Sequence, residues 1–118
     1  MATYSTLADI TDVALSVSEG HLLSADAQID ALLKQRKIAP ELLDLPITVL
    51  TDLAVAIACR KAAIDGSIDV DGKSPLIVKA REYERDIERL EALVSHESLG
   101  IRPDDPAAGF GNFSIGRA

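Results

Sequence analysis

The chain has 118 residues, 47% of them hydrophobic, 3% aromatic and none tryptophan, which suits one modest core built from Leu, Ile, Val and Ala and favours packed helices over a sheet sandwich. A net charge of -7 and a pI near 4.7 argue against a protein that grips nucleic acid through its phosphates, because that needs clustered Lys and Arg. No stretch approaches the roughly 20 apolar residues that span a bilayer, and Met1 to Gly20 lacks the basic start and apolar middle of a signal peptide, so the chain is expected to be made and kept in the cytoplasm.

Taken in order, Thr6 stands three positions before Asp9, the spacing that satisfies free amides at a helix start, and predicts a short helix from Leu7 to Val13. Ser16 to Gly20 reads as a turn. A second helix is expected from His21 to Lys37, with Leu22, Ala25, Ile29, Leu32 and Leu33 on one stripe and Lys34, Arg36 and Lys37 at the end where cations oppose the helix dipole. Ile38 to Pro46 is a connector, since Pro40 and Pro46 disfavour helix in the residue before them.

Pro46 can occupy a first helical turn. From there Leu50, Leu53, Ala54, Ile57, Ala58 and Ile64 predict a third helix, apolar over a broad arc as the most buried one would be. Asp65 to Lys73 is an acidic loop. Ser74 and Pro75 then combine a capping hydroxyl with a proline in the first turn, and open a fourth helix to Ser95 whose Ala80, Tyr83, Ile87, Leu90 and Val94 form a narrow seam. After Gly100 the residues are rich in Gly and Pro and lose periodicity. The expected fold is all-α: a small bundle of about four helices over residues 1–98, with an extended C-terminal arm over 99–118.

Few residues point to chemistry. Asp65, Asp69 and Asp71 before Gly72 form part of a calcium loop, but the bidentate acid that would end it is replaced by Leu76, so a solvated turn is expected. His21 and His96 have no ligand partners at metal spacing and read as surface or capping residues. Cys59, the only cysteine, falls among Ala and Ile, where a thiol behaves as a small apolar group. With no glycine-rich phosphate loop or serine elbow, neither an enzyme nor a bound cofactor or metal is expected.

The fourth helix carries more information. Arg81, Arg85 and Arg89 step by four along one flank, with Glu84, Glu88 and Glu91 beside them, and both flanks are expected to border the apolar seam. They form either a solvated face stitched by pairs such as Glu82 to Arg85, worth roughly 0.2 to 0.5 kcal/mol each, or a helix whose basic flank meets the acidic flank of a neighbouring subunit in a head-to-tail ring. Both phenylalanines, Phe110 and Phe113, lie with Ile115 in the C-terminal arm. They are either anchors that order on a partner or residues that fold back over this domain's own core.

The order of these segments resembles a phage head-tail connector, the adaptor beneath the portal ring of tailed bacteriophages and Mu-like prophages. Tyr4-Ser5-Thr6-Leu7-Ala8-Asp9 resembles the family's opening, and Ala27 to Arg36 its helix ending in a basic residue. Leu45-Pro46 followed by Leu53 to Ala58 resembles its proline-started central helix, and Lys79 to Glu84 with Ile87 to Leu93 its last helix. The resemblance covers about residues 3 to 95; the acidic loop 65–73 and the Gly-rich arm depart from it. It implies a virion subunit at the head-tail junction, made in the host cytoplasm and assembled as a dodecameric homo-oligomeric ring between the portal protein and the next neck or tail-completion protein. DNA would pass through the channel without specific binding, and no membrane is involved. The alternative is a cytoplasmic helical protein-binding module or regulator that acts as a dimer.

Overall fold

The computed structural model describes residues 2–67 and 75–100, and all regular structure among them is helical. Three α-helices, α1 (Glu19–Gln35), α2 (Thr48–Gly66) and α3 (Pro75–Leu93), are joined by loops that include short 3-10 turns at Leu7–Asp9 and Pro40–Leu42. The bundle therefore has three helices rather than about four. The C-terminal arm expected beyond it lies, except for Leu99 and Gly100, outside the described residues, as does most of the acidic loop.

The missing helix is the first one. The local signal works, since Asp9 accepts the Thr6 amide at 2.8 Å, but it closes only one 3-10 turn. Leu7, Ala8 and Asp9 are all exposed and Val13 is fully so. Without an apolar face to bury, a helix of one or two turns does not repay its ordering entropy. Residues 2–17 instead form an irregular strap along α2. Its start lies near Thr51, whose hydroxyl donates to the Tyr4 carbonyl at 3.0 Å, and its end near Ala62, Asp65 and Gly66, where Ala14, Leu15 and Ser16 border a shared cleft.

α1 starts two residues earlier than the periodicity suggests because Ser18 caps it. The Ser18 amide donates to His21 Nδ1 at 3.0 Å, and the Ser18 hydroxyl accepts from the His21 amide at 3.4 Å. The other end closes with Lys37 at φ 60, its amide bonded to the Lys34 carbonyl and the Ile38 amide to the Leu33 carbonyl. This is the left-handed closure that places Ile38, 1% exposed, back against the core.

α2 is the central helix, packed against both α1 and α3. Leu50, Leu53, Ala54, Ala56, Ile57, Ala58, Cys59, Ala62 and Ala63 are all buried, distributed around the helix as its sequence predicts. Pro46 does not enter it; the helix begins at Thr48 with Ile47 as its cap. Leu22, Ile29 and Leu33 from α1 meet Leu50, Leu53 and Ile57, and Leu90, Val94 and Leu99 complete the core from the α3 side. Each such leucine or isoleucine removed from water contributes about 1.5 to 3 kcal/mol. The α3 seam lies as expected, with Ala80, Leu90 and Val94 buried and Tyr83 and Ile87 partly so.

Candidate protein-interaction surface

Two kinds of polar arrangement mark the molecule: internal clamps that hold the strap and helix ends, and an external charged face on α3. The strap is held at its start by α1. The Asp26 carboxylate, 8% exposed, accepts the Thr3 amide at 2.6 Å and the Tyr4 amide at 3.2 Å. Tyr4 donates its hydroxyl to Asp30 at 2.5 Å. Burial, then that carboxylate acceptor, pushes the Tyr4 phenol well above its ordinary value.

Farther along, the strap is held by α3. Asp12 accepts from Lys79 Nζ at 2.8 Å and from the Tyr83 hydroxyl at 2.7 Å, with its second oxygen taking the Ala14 amide at 3.1 Å. These bonds, the Lys79 one foremost, hold the Asp12 carboxyl below its ordinary value and raise Lys79 above its own. Tyr83 is also raised, by burial first and by Asp12 second. Cys59 lies beside Tyr83, and burial pushes its thiol upward, so it stays protonated at neutral pH as the inert group its surroundings suggest. Sequence reading misses this cluster because Asp12 is 67 and 71 residues from its two partners. The only signal is a tyrosine in an otherwise aliphatic seam, whose hydroxyl must find an acceptor when buried.

The histidines serve as caps and links. His21 Nδ1 lies 3.0 Å from the Ser18 amide, and Nε2 faces Asp65 at 2.7 Å. Asp65, the first acid of the partial calcium loop, is thus engaged by a histidine. Asp69, Asp71 and Gly72 lie outside the described residues, and among the described residues no group of three or more His, Cys, Asp or Glu could hold a metal ion. His96 Nε2 lies 3.2 Å from the Lys37 carbonyl.

On the outer side, Arg81, Glu84, Arg85, Glu88 and Arg89 are all exposed along α3. At about 100° per residue, Arg85 stands roughly 160° around the helix from Tyr83 and Ile87, so the arginine row sits opposite the apolar seam rather than along its border. Glu84 reaches Arg60 of α2 at 3.9 Å, and Arg89 reaches Asp86 at 3.8 Å. These are long, exposed contacts of the kind worth about 0 to 1 kcal/mol. Among the described residues, no carboxylate pairs with Arg81 or Arg85. Val78 and Leu93, 55% and 51% exposed, lie near the two ends of the row. Phe110, Phe113 and Ile115 fall outside the described residues, so the expected surface is seen only in its α3 portion.

No protein-family model, curated protein or solved structure matches the chain. No helix among the described residues is long and apolar enough to cross a membrane.

Proposed function

We propose that the chain is a structural head-tail connector, an adaptor subunit that docks beneath the portal ring of a tailed bacteriophage and joins capsid to neck or tail. The observation that carries this reading is the outer face of α3. It sets three arginines in a row on the solvent side, two of them without a carboxylate partner among the described residues, on a chain whose net charge is -7. A stabilising surface helix would pair those cations within the chain; unpaired, they are available to a neighbour. The order of motifs over residues 3 to 95, which resembles that of connector proteins, supports the same reading.

In this function the bundle acts as a rigid wedge. The clamps at Asp12 and Asp26, with the Arg36 guanidinium of α1 donating to the Val94 carbonyl at the end of α3 at 2.7 Å, lock strap and helices together, so that load across a ring of twelve passes through packed helices. The arm carrying Phe110, Phe113 and Ile115 latches onto the portal or the next neck or tail protein. An acidic ring lets DNA pass without adhering, because like charge opposes phosphate contact.

The test is to pull the tagged chain from cells that express the neighbouring viral genes and weigh the complexes by native mass spectrometry. A portal ring carrying matching copies of this chain is the expected result. Recovery of only a free dimer, with portal present and unbound, would replace the connector reading with that of a dimeric binding module.

A further inference from the structure

Beside the start of α2 lies a cleft of about 300 Å³, bordered by Thr3, Ser5, Thr48 and Thr51 and by the carboxylates of Asp9 and Asp52. Among the described residues, no basic one lines it. Ser5 is 4% exposed, and its hydroxyl has no hydrogen-bond partner among the described residues. A buried polar group left unpaired costs about 1 to 3 kcal/mol, and Ser5 is also one of the residues that line the cleft. α2 also begins without a side-chain cap, since Ile47 occupies that position.

The chemistry of this lining selects its occupant. Two carboxylates oppose an anion despite the nearby helix start. A row of hydroxyl and carboxylate acceptors instead suits a group that is all donor, and a guanidinium offers five N–H donors in a planar fork. The cleft has room for a side-chain head group but not for a helix. Such head groups stand exposed on the same chain, in the row formed by Arg81, Arg85 and Arg89, none of which lines the cleft.

We infer that Arg85, at the centre of the arginine row of one copy, seats its head group in the strap cleft of the next copy, so that the chain associates head to tail. Electrostatics favour this orientation over others. Two copies of a chain with net charge -7 repel one another in most approaches, and a twofold contact through α3 would set arginine against arginine. Bringing the row to the cleft reverses both signs at once. Because the two surfaces do not overlap, each copy can use both, which is the condition for a ring or a filament. This contact rests on the ring reading above and names the surfaces that would make it.

Sedimentation of the full chain at millimolar concentration and low salt tests it. We expect growth beyond a dimer that fades as salt rises, as guanidinium and carboxylate are screened. Arg85→Ala and Asp52→Arg, both at exposed positions, should each weaken association by roughly tenfold or more while the helical circular dichroism stays unchanged. Mixed together, the two variants should stop at a heterodimer, because the first keeps an intact cleft and the second an intact row. A wild-type chain that stays monomeric, variants that assemble like wild type, or a mixture that does not pair would each overturn the contact. Portal capture is read separately: a wild-type chain that self-associates in this way but never binds portal sinks the connector reading alone.

Discussion

Arg36, at the C-terminal cap of α1, closes the far end of α3: its guanidinium donates to the carbonyl of Glu91 and, at 2.7 Å, to that of Val94. One side chain thus satisfies two carbonyls at the C-terminal end of a helix 55 and 58 residues away, at the negative end of its dipole. Arg36→Ala should lower unfolding free energy by about 1.5 to 3 kcal/mol, the range for hydrogen bonds to a charged donor. Arg36→Lys should recover part of that, since both bonds come from the single nitrogen Nη1 and an ammonium can donate to two carbonyls, but from a stem one bond shorter. Urea denaturation checks both values.

The Asp26 clamp leads to a local prediction. Asp26→Ala leaves the Thr3 and Tyr4 amides without their acceptor next to the core, at a cost of about 1 to 3 kcal/mol. Helices α1 to α3 keep their own core, so the strap should respond first. Hydrogen exchange should show lost protection at the Tyr4 amide with α2 protection largely retained; equal loss in both would mean that strap and bundle unfold as one unit.

The Asp12–Lys79 pair makes stability depend on pH at both extremes. Asp12 has a folded-state value below its ordinary 3.8, so its contribution is present above that value and disappears as pH falls through the depressed one. Lys79 has a folded-state value above its ordinary 10.5, so its contribution is present below 10.5 and disappears as pH rises through the raised one. Between these limits the pair should leave stability flat. Asp12→Asn should remove the acid slope and reduce the alkaline one without abolishing it, because Tyr4 and Tyr83 are held above their ordinary values by burial first and still titrate there; urea midpoints across both ranges check this, and an unchanged acid slope would place that titration elsewhere.

Lys37 occupies the left-handed position that ends α1, at φ 60, where a side chain other than glycine's is strained. Lys37→Gly should stabilise the protein by about 1 kcal/mol, seen as a higher melting temperature. The His96 contact survives the change, because it is made to the Lys37 backbone carbonyl.

What the residues declare in advance here is what depends on neighbours three or four positions away. The stripe from Leu22 to Leu33 and the seam from Ala80 to Val94 each name a helix and its buried side, and α2's apolar residues on every side name the helix that is surrounded. The Thr6 to Asp9 signal is equally local and equally real, yet it cannot report whether the turn that follows will have a face to bury. That the strap stays irregular follows from where α2 and α3 stand.

The sequence by itself thus determined the all-helical class of the described residues, the approximate spans of their three α-helices, the central place of α2 and the spacing of the arginine row. Helical periodicity and side-chain volume act over a few residues and are written directly in the order of amino acids. Only the tertiary structure decided that Asp12 meets Lys79 and Tyr83, that Arg36 caps α3, that the arginines stand opposite the seam, and that Ser5 is buried without a partner beside an acidic cleft. Those contacts join residues far apart in the chain, and they form only once the burial of Leu, Ile and Ala side chains has set the helices side by side.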